Sequence, residues 1–377
     1  MRAKPAVALN PERFARAEIR DLAPYVPGKP QAEVERELGI FGPIKLASNE
    51  NPLGPSPLAR QAISTALLDL NRYPEGGSSD LRDRLARLHD VEPQQIVVGN
   101  GSNEIIELLA HVFLGPGDQA ILADPTFPMY RPAVRVTGGE VIYVPTRDLT
   151  HDLEAMAAAI TDRTRVVFVC NPNNPTGTMV TGAEVEHLMA RVPDEVLVVF
   201  DEAYHEYVDH PEYPRTLDYV REGRHVAILR TFSKIYALAG LRVGYTITQP
   251  ETAGLLHRVR LPFNVSTLAQ RAALASLDDP HQISRSILVV REGRALLSEC
   301  LPQLGIEVVP ASQTNFLLVR LPVEAEPVAR ALEGHGVIVR PMRVFRLPPE
   351  YARITIGLKS ENERLLEALA AVLDRHP

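Results

Sequence analysis

Three residues capable of chemistry stand just past three successive apolar runs. Val166-Val167-Phe168-Val169-Cys170 leads to Asn174, Glu195-Val196-Leu197-Val198-Val199-Phe200 to Asp201, and Val226-Ala227-Ile228-Leu229-Arg230 to Lys234. Near-continuous apolar runs of this kind read as buried parallel strands, and open α/β sheets bind ligands beyond the carboxyl ends of their strands. An amide, a carboxylate and an amine are therefore expected at one site. Lys234 lies among Ile235, Tyr236, Ala237 and Leu238. Such poor solvation lowers an amine's pKa and frees it to attack a carbonyl. Asp201 taken alone would read as a helix N-cap, but a carboxylate behind an apolar strand is costly unless it meets a cation.

The neighbours of these residues suit an anion. The hydroxyls of Thr231 and Ser233 and the fork of Arg242 match a phosphate. A lysine beside a phosphate cradle points to a Schiff base with pyridoxal phosphate. Gly99-Asn100-Gly101-Ser102-Asn103-Glu104 joins a short apolar run to the start of a helix. Backbone N–H groups and the helix dipole there face an anion, while Glu104 replaces the third glycine of a dinucleotide fingerprint. Phe127, in the turn after Ala120–Ala123, either stacks on a flat ring or packs in the core. Asn171 to Gly177 is dense in turn formers, and Asn174–Pro175 is a candidate cis bond. Tyr73 sits in a loop that either binds or packs. Tyr25 lies on an extended arm, Asp21 to Gly28, and either packs on the body or reaches the site.

These residues need a framework to hold them. At 377 residues the chain is long enough for one large domain and a smaller one. Strands and helices alternate up to Thr248, which implies an α/β domain with a mostly parallel sheet. Residues 302–377 change character, with strands at Glu307 to Pro310, Asn315 to Val319, Gly336 to Val339 and Ala352 to Gly357. Helices near 324–334 and 360–374 complete a smaller α+β domain, with Arg340 and Arg353 at strand ends. The expected division is an arm at 1–45 that contributes to the small domain, a large domain at 46–262 and a small domain at 263–377. A net charge of −7 argues against a nucleic-acid partner, and no apolar run is long enough to cross a membrane. Met1 to Asn10 lacks the apolar core of a signal peptide. Cys170 and Cys300 cannot form a metal cage, so no metal is expected and a reducing, cytoplasmic setting fits.

Taken together, the motifs resemble the fold-type I pyridoxal-phosphate-dependent aminotransferases of class I/II, and within them the histidinol-phosphate aminotransferases. The resemblance runs from Arg20-Asp21-Leu22-Ala23-Pro24-Tyr25 through Asn71-Arg72-Tyr73-Pro74, Asn171 to Gly177, Asp201-Glu202-Ala203-Tyr204 and Thr231 to Tyr245. It ends at Arg353-Ile354-Thr355-Ile356-Gly357. It implies that Lys234 carries the cofactor and shuttles a proton, that Asp201 pairs with the pyridinium nitrogen, and that Asn174 and Tyr204 bond the ring's phenolate. Phe127 would stack on the ring, where the family often has tyrosine. Ser102, Asn103, Thr231, Ser233 and Arg242 would hold the phosphate. Tyr73 would reach that phosphate from a neighbouring subunit, which implies a homodimer with shared sites. Tyr25, Arg340 and Arg353 would bind the substrate's phosphate. The implied reaction moves the amino group of L-histidinol phosphate to 2-oxoglutarate, giving glutamate, in histidine biosynthesis. An aromatic amino-acid aminotransferase and a threonine-phosphate decarboxylase-like enzyme are the competing readings.

Overall fold

The computed structural model describes residues 10–374, and the expectation for the leader region, residues 1–9, lies outside them. A two-residue strand, β1 (Ile44–Lys45), precedes the large sheet. That sheet comprises β2 (Ile96–Gly99), β3 (Gln119–Asp124), β4 (Glu140–Pro145), β5 (Thr164–Cys170), β6 (Leu197–Asp201), β7 (Val226–Thr231) and β8 (Gly244–Thr248). Its order is β2-β8-β7-β6-β5-β3-β4. All neighbouring pairs are parallel except those made by β8, which runs antiparallel to β2 and β7.

The central strands are apolar along their whole length because helices cover both faces. Val167, Val169, Val198 and Phe200 pack into one core cluster, whereas Val166, Phe168, Leu197 and Val199 pack into another. Each fully buried side chain of this size contributes about 1.5–3 kcal/mol. This makes the sheet a rigid floor for the residues at its carboxyl edge. Register aligns that edge, pairing Cys170 with Asp201 and Asp201 with Leu229. After β7 the chain folds back tightly. Phe232 N–H donates to Val243 O at 3.1 Å, and Leu238 N–H donates to Phe232 O at 3.0 Å, which leaves Lys234 at the tip.

The remaining strands form the smaller sheet system: β9 (Glu307–Val308), β10 (Phe316–Arg320), β11 (Val337–Ile338), β12 (Arg340–Pro341) and β13 (Tyr351–Thr355). The order β12-β13-β10-β9 is antiparallel, and β1 pairs with β11 in parallel. Four local expectations change. The helix expected over 57–70 ends at Ala66, followed by a 3-10 turn at Leu67–Asp69; Leu67, Leu68 and Leu70 continue the apolar spacing but are exposed. The first small-sheet strand pairs only at Glu307–Val308, because Pro310 has no N–H to offer and Ala311 turns with φ 59°. Gly336 to Val339 contributes only β11, and the chain enters β12 at Arg340. Arg353 lies in the middle of β13, opposite Arg340, rather than at a strand end.

Asp201 and Glu202 point to opposite faces at the end of β6. Glu202 accepts from Arg230 Nε at 3.0 Å and from Nη2 at 2.9 Å, and both side chains are buried. Thr216 donates to the other Glu202 oxygen. Breaking a buried pair strands a charge, whereas breaking an exposed pair does not. Glu202→Ala is therefore expected to lower stability by about 3–5 kcal/mol, while Asp278→Ala, which loses the more exposed Arg84 contact, costs below about 1 kcal/mol. Equal losses for the two variants in urea unfolding would refute the difference.

Candidate active site

A cavity of ≈ 280 Å³ opens at the carboxyl edge of the large sheet and is bounded on its far side by Phe345 and Arg353. Lys234, Asp201 and Asn174 all line it. Lys234 Nζ donates to Ser48 O at 3.4 Å and lies 5.7 Å from the centre of the Tyr204 ring. Burial, aided by the Arg353 cation and opposed by Glu50, lowers the amine's pKa to about 8. Asp201 is 3% exposed. Its Oδ2 accepts from the Tyr130 hydroxyl at 2.7 Å. Its Oδ1 is buried and has no hydrogen-bond partner among the described residues. Burial raises the Asp201 carboxyl to about 6, against the opposing pull of the Tyr130 bond and of the nearby Ala203 N–H dipole.

One end of the cavity is built for an anion. Ser102 and Asn103 occupy the first turn of helix Gly101–Phe113, where free N–H groups and the dipole attract negative charge. Glu104 explains its own presence there: it accepts from Asn100 N–H at 2.5 Å and from Asn264 Nδ2 at 2.6 Å, which closes the turn. Thr231 and Ser233 present hydroxyls beside Arg242, whose Nη1 donates to Ser233 Oγ at 3.4 Å. Two glycines keep this end open. A Cβ on Gly101 would stand 2.6 Å from Arg242 Nη2, and one on Gly244 would stand 2.7 Å from Ser102 N and 2.9 Å from Arg230 O.

The opposite end is cationic. Arg353 is 4% exposed. Its Nη1 donates to Asn174 Oδ1 at 2.5 Å and its Nη2 to Ala47 O at 3.0 Å, while its Nε is buried without a partner among the described residues. The guanidinium lies between the rings of Phe316 and Phe345, at 5.2 and 5.3 Å. Because Arg353 takes Asn174 Oδ1, the Asn174 Nδ2 group remains available to donate. The Tyr204 oxygen accepts from Asn49 Nδ2 at 2.8 Å, which leaves its hydrogen free to donate. Phe127 lines the wall and meets Tyr130 edge-on at 5.5 Å.

Most residues singled out from sequence meet here, and two do not. Tyr25 lines the cavity although its arm is partly exposed. Arg340 does not line it. Its guanidinium donates to Val26 O and lies 5.9 Å from the Tyr25 ring, so it touches the arm. Tyr73 is 82% exposed, stacked at 4.7 Å on Phe263, and does not line the cavity of its own chain. Sequence reasoning missed Tyr130, Asn49 and Phe345. Tyr130 closes a turn of aromatics but gives no sign that its hydroxyl reaches a neighbouring strand. Asn49 has a positive φ of 55°, a conformation asparagine tolerates, inside a turn-rich stretch. The cavity fits pyridoxal phosphate on its own chemistry: a lone buried carboxylate oxygen for a ring N–H, a poorly solvated amine for the carbonyl and a helix N-terminus with hydroxyls for the phosphate.

Comparison with known proteins agrees. The sequence pattern of the aminotransferase class I and II family matches residues 42–369. The histidinol-phosphate aminotransferase of Moorella thermoacetica is 50% identical over 95% of this chain and 92% of its own. The crystal structure of histidinol-phosphate aminotransferase from Sinorhizobium meliloti in complex with pyridoxal-5'-phosphate superimposes with a TM-score of 0.86 at 27% identity, over 100% of this chain and 99% of that one. An L-threonine-O-3-phosphate decarboxylase from Porphyromonas gingivalis shares the fold with a TM-score of 0.78 at 27% identity, over 88% and 99% of the two chains. From the extent and identity of these matches, the chain belongs to the class I and II aminotransferases and, within them, to the histidinol-phosphate aminotransferases.

Proposed function

We propose that this chain uses pyridoxal phosphate to transfer the amino group of L-histidinol phosphate to 2-oxoglutarate in histidine biosynthesis. The unpartnered Asp201 Oδ1, in one cavity with Lys234 and the cationic Arg353, is the observation that carries the reading. When bound, the cofactor supplies a carbonyl for the amine and a ring that accepts an electron pair. Lys234 Nζ would take the proton from the substrate Cα and deliver it to the carbonyl-derived carbon on the other side of the substrate nitrogen. With its pKa near 8 the amine is poised for both transfers around neutral pH. Asp201 Oδ1 would keep the ring N–H protonated. Asn174 Nδ2 and the Tyr204 hydroxyl would donate to the ring oxygen, and Phe127 would lie against the ring. Ser102, Asn103, Thr231, Ser233 and Arg242 would hold the cofactor phosphate.

Arg353 takes the substrate phosphate in one half-reaction and a carboxylate of the oxo acid in the other. Its planar fork suits both anions. Tyr25 closes over the same end, and Arg340 secures it by holding the arm at Val26. We propose a homodimer in which Tyr73 reaches the partner's cofactor phosphate. The exposed Tyr73–Phe263 stack, with Leu67, Leu68 and Leu261 also exposed, supports an apolar contact there. The division into arm, large domain and small domain at 45/46 and 262/263 belongs to the same proposal. So does a cytoplasmic setting, which the unpaired Cys170 and Cys300 suit. No helix among the described residues is long and apolar enough to cross a membrane.

Three measurements test this reading. With 2-oxoglutarate as acceptor, kcat/KM is expected to be highest for histidinol phosphate; a preference of about tenfold or more for phenylalanine or tyrosine would overturn the substrate assignment. Carbon dioxide release from threonine phosphate without amino transfer would favour the decarboxylase. Lys234→Ala is expected to be inactive and Tyr73→Ala impaired, yet mixing and re-associating the two should restore activity, since one hybrid site pairs an intact Lys234 with an intact Tyr73. Absence of recovery in proven hybrids would exclude shared sites. In the cofactor-free protein, Asp201 titrates near 6 rather than its ordinary 3.8, so the folded state holds the proton more tightly than the unfolded state. No stability is lost below about pH 4; the loss grows from about pH 4 to 6 and levels off above that at about 3 kcal/mol. Cofactor-free Asp201→Asn should therefore be more stable than its parent at about pH 7.5, with no such advantage at about pH 4, and added pyridoxal phosphate should reverse the order. A difference independent of pH would refute the account.

A further inference from the structure

We propose that Arg346, which does not line the cavity, is a positioning residue that clamps the anion-gripping end of the site shut. Arg346 ends the 3-10 turn Arg343–Phe345 in the left-handed conformation, with φ 65°. That backbone disfavours a residue bearing a Cβ, so its side-chain contacts must hold it there. Both contacts cross to the large sheet. Nη2 pairs with Asp124 Oδ2 at 3.1 Å, and the guanidinium lies 4.2 Å from the centre of the Tyr143 ring. Asp124 and Tyr143 belong to β3 and β4, the outer strands on that side of the sheet.

The clamp acts through its neighbours at both ends. Phe345, adjacent to Arg346, is buried, lines the cavity and lies against the Arg353 guanidinium at 5.3 Å. It packs with Val309, Leu318, Met342 and Leu347, and Leu149 of the large domain rests on the same cluster. Asp124 opens the turn that carries Phe127, the opposite cavity wall. One guanidinium thus ties the wall behind Arg353 to the wall around the ring site. Its charge lies outside the cavity and is half exposed, so it contributes alignment of Arg353 rather than a bond to the substrate.

The inference rests on Arg353 as the anion grip, and Arg346→Gly tests it cleanly because glycine accepts the left-handed backbone without strain. In the holoenzyme the KM values for histidinol phosphate and 2-oxoglutarate should both rise about tenfold, the size expected when an exposed ion pair and a cation–π contact are lost together. The kcat should stay within about twofold, and the visible spectrum of the bound cofactor should be unchanged. Calorimetric Kd for glutarate, a non-reacting dicarboxylate, should weaken by the same factor. Glutarate binding needs no turnover, so it reads the clamp even if histidinol phosphate proves not to be the donor. Asp124→Asn should produce part of the effect and add little to Arg346→Gly. Unchanged glutarate affinity in Arg346→Gly, or a fall in kcat with loss of cofactor, would overturn the proposal.

Discussion

The site depends on a carboxylate oxygen buried at the end of a strand with no donor of its own. Burying an unpaired charge is unfavourable, and the protein pays for it here with a rigid floor that leaves Asp201 nowhere else to go. Tyr130 satisfies one oxygen and stops there. The other oxygen waits in a cavity whose opposite side offers an amine and a phosphate cradle. A bound molecule that brings a ring N–H at one position and an anion at another meets both demands at once.

The residue next in sequence shows what the fold does when no ligand is intended. Glu202, on the other face of β6, is bonded by Arg230 through two nitrogens and by Thr216, and so is fully paired within the protein. His89 borders the same pair through Arg230 and bonds Tyr245 at 2.8 Å; burial and the neighbouring cation push its pKa down to about 3, so it adds no competing charge. Two adjacent carboxylates therefore have opposite roles. One is neutralised inside the fold and fixes β6 against β7. The other is left open and is held in place by that same registration.

The large sheet was legible because strands buried on both faces cannot carry polar residues until they end. Asn174, Asp201 and Lys234 consequently announce themselves by position alone. The phosphate turn was legible for a related reason, since only glycine fits where Gly101 and Gly244 meet Ser102 and Arg242. Tyr130 and Asn49 were not legible: their hydrogen bonds join segments far apart in sequence, to Asp201 and Tyr204, and nothing local encodes them. The small domain was blurred for a different reason. Its strands are short and one-sided, so Arg353 reads as a strand end although it lies within β13, and Arg340 reads as a ligand contact although it holds the arm.

Arg353 makes the cationic end the counterpart of the anionic one. Burial lowers its pKa to about 10, and its Nε, like Asp201 Oδ1, lacks a partner among the described residues. It is therefore a second incompletely satisfied charge, separated from the first by the cavity. It is held by Asn174 from the large domain and by Ala47 just after β1, so contacts from both sides of the cavity fix its position. An anionic substrate relieves this cation while the cofactor relieves the carboxylate. Each would be costly to leave buried alone, and together they favour the loaded, closed state. The same logic accounts for a site that accepts both a phosphate and a carboxylate, because a guanidinium bonds the charged oxygens that both anions present at a fixed point and leaves discrimination between donors to the walls between the two charges.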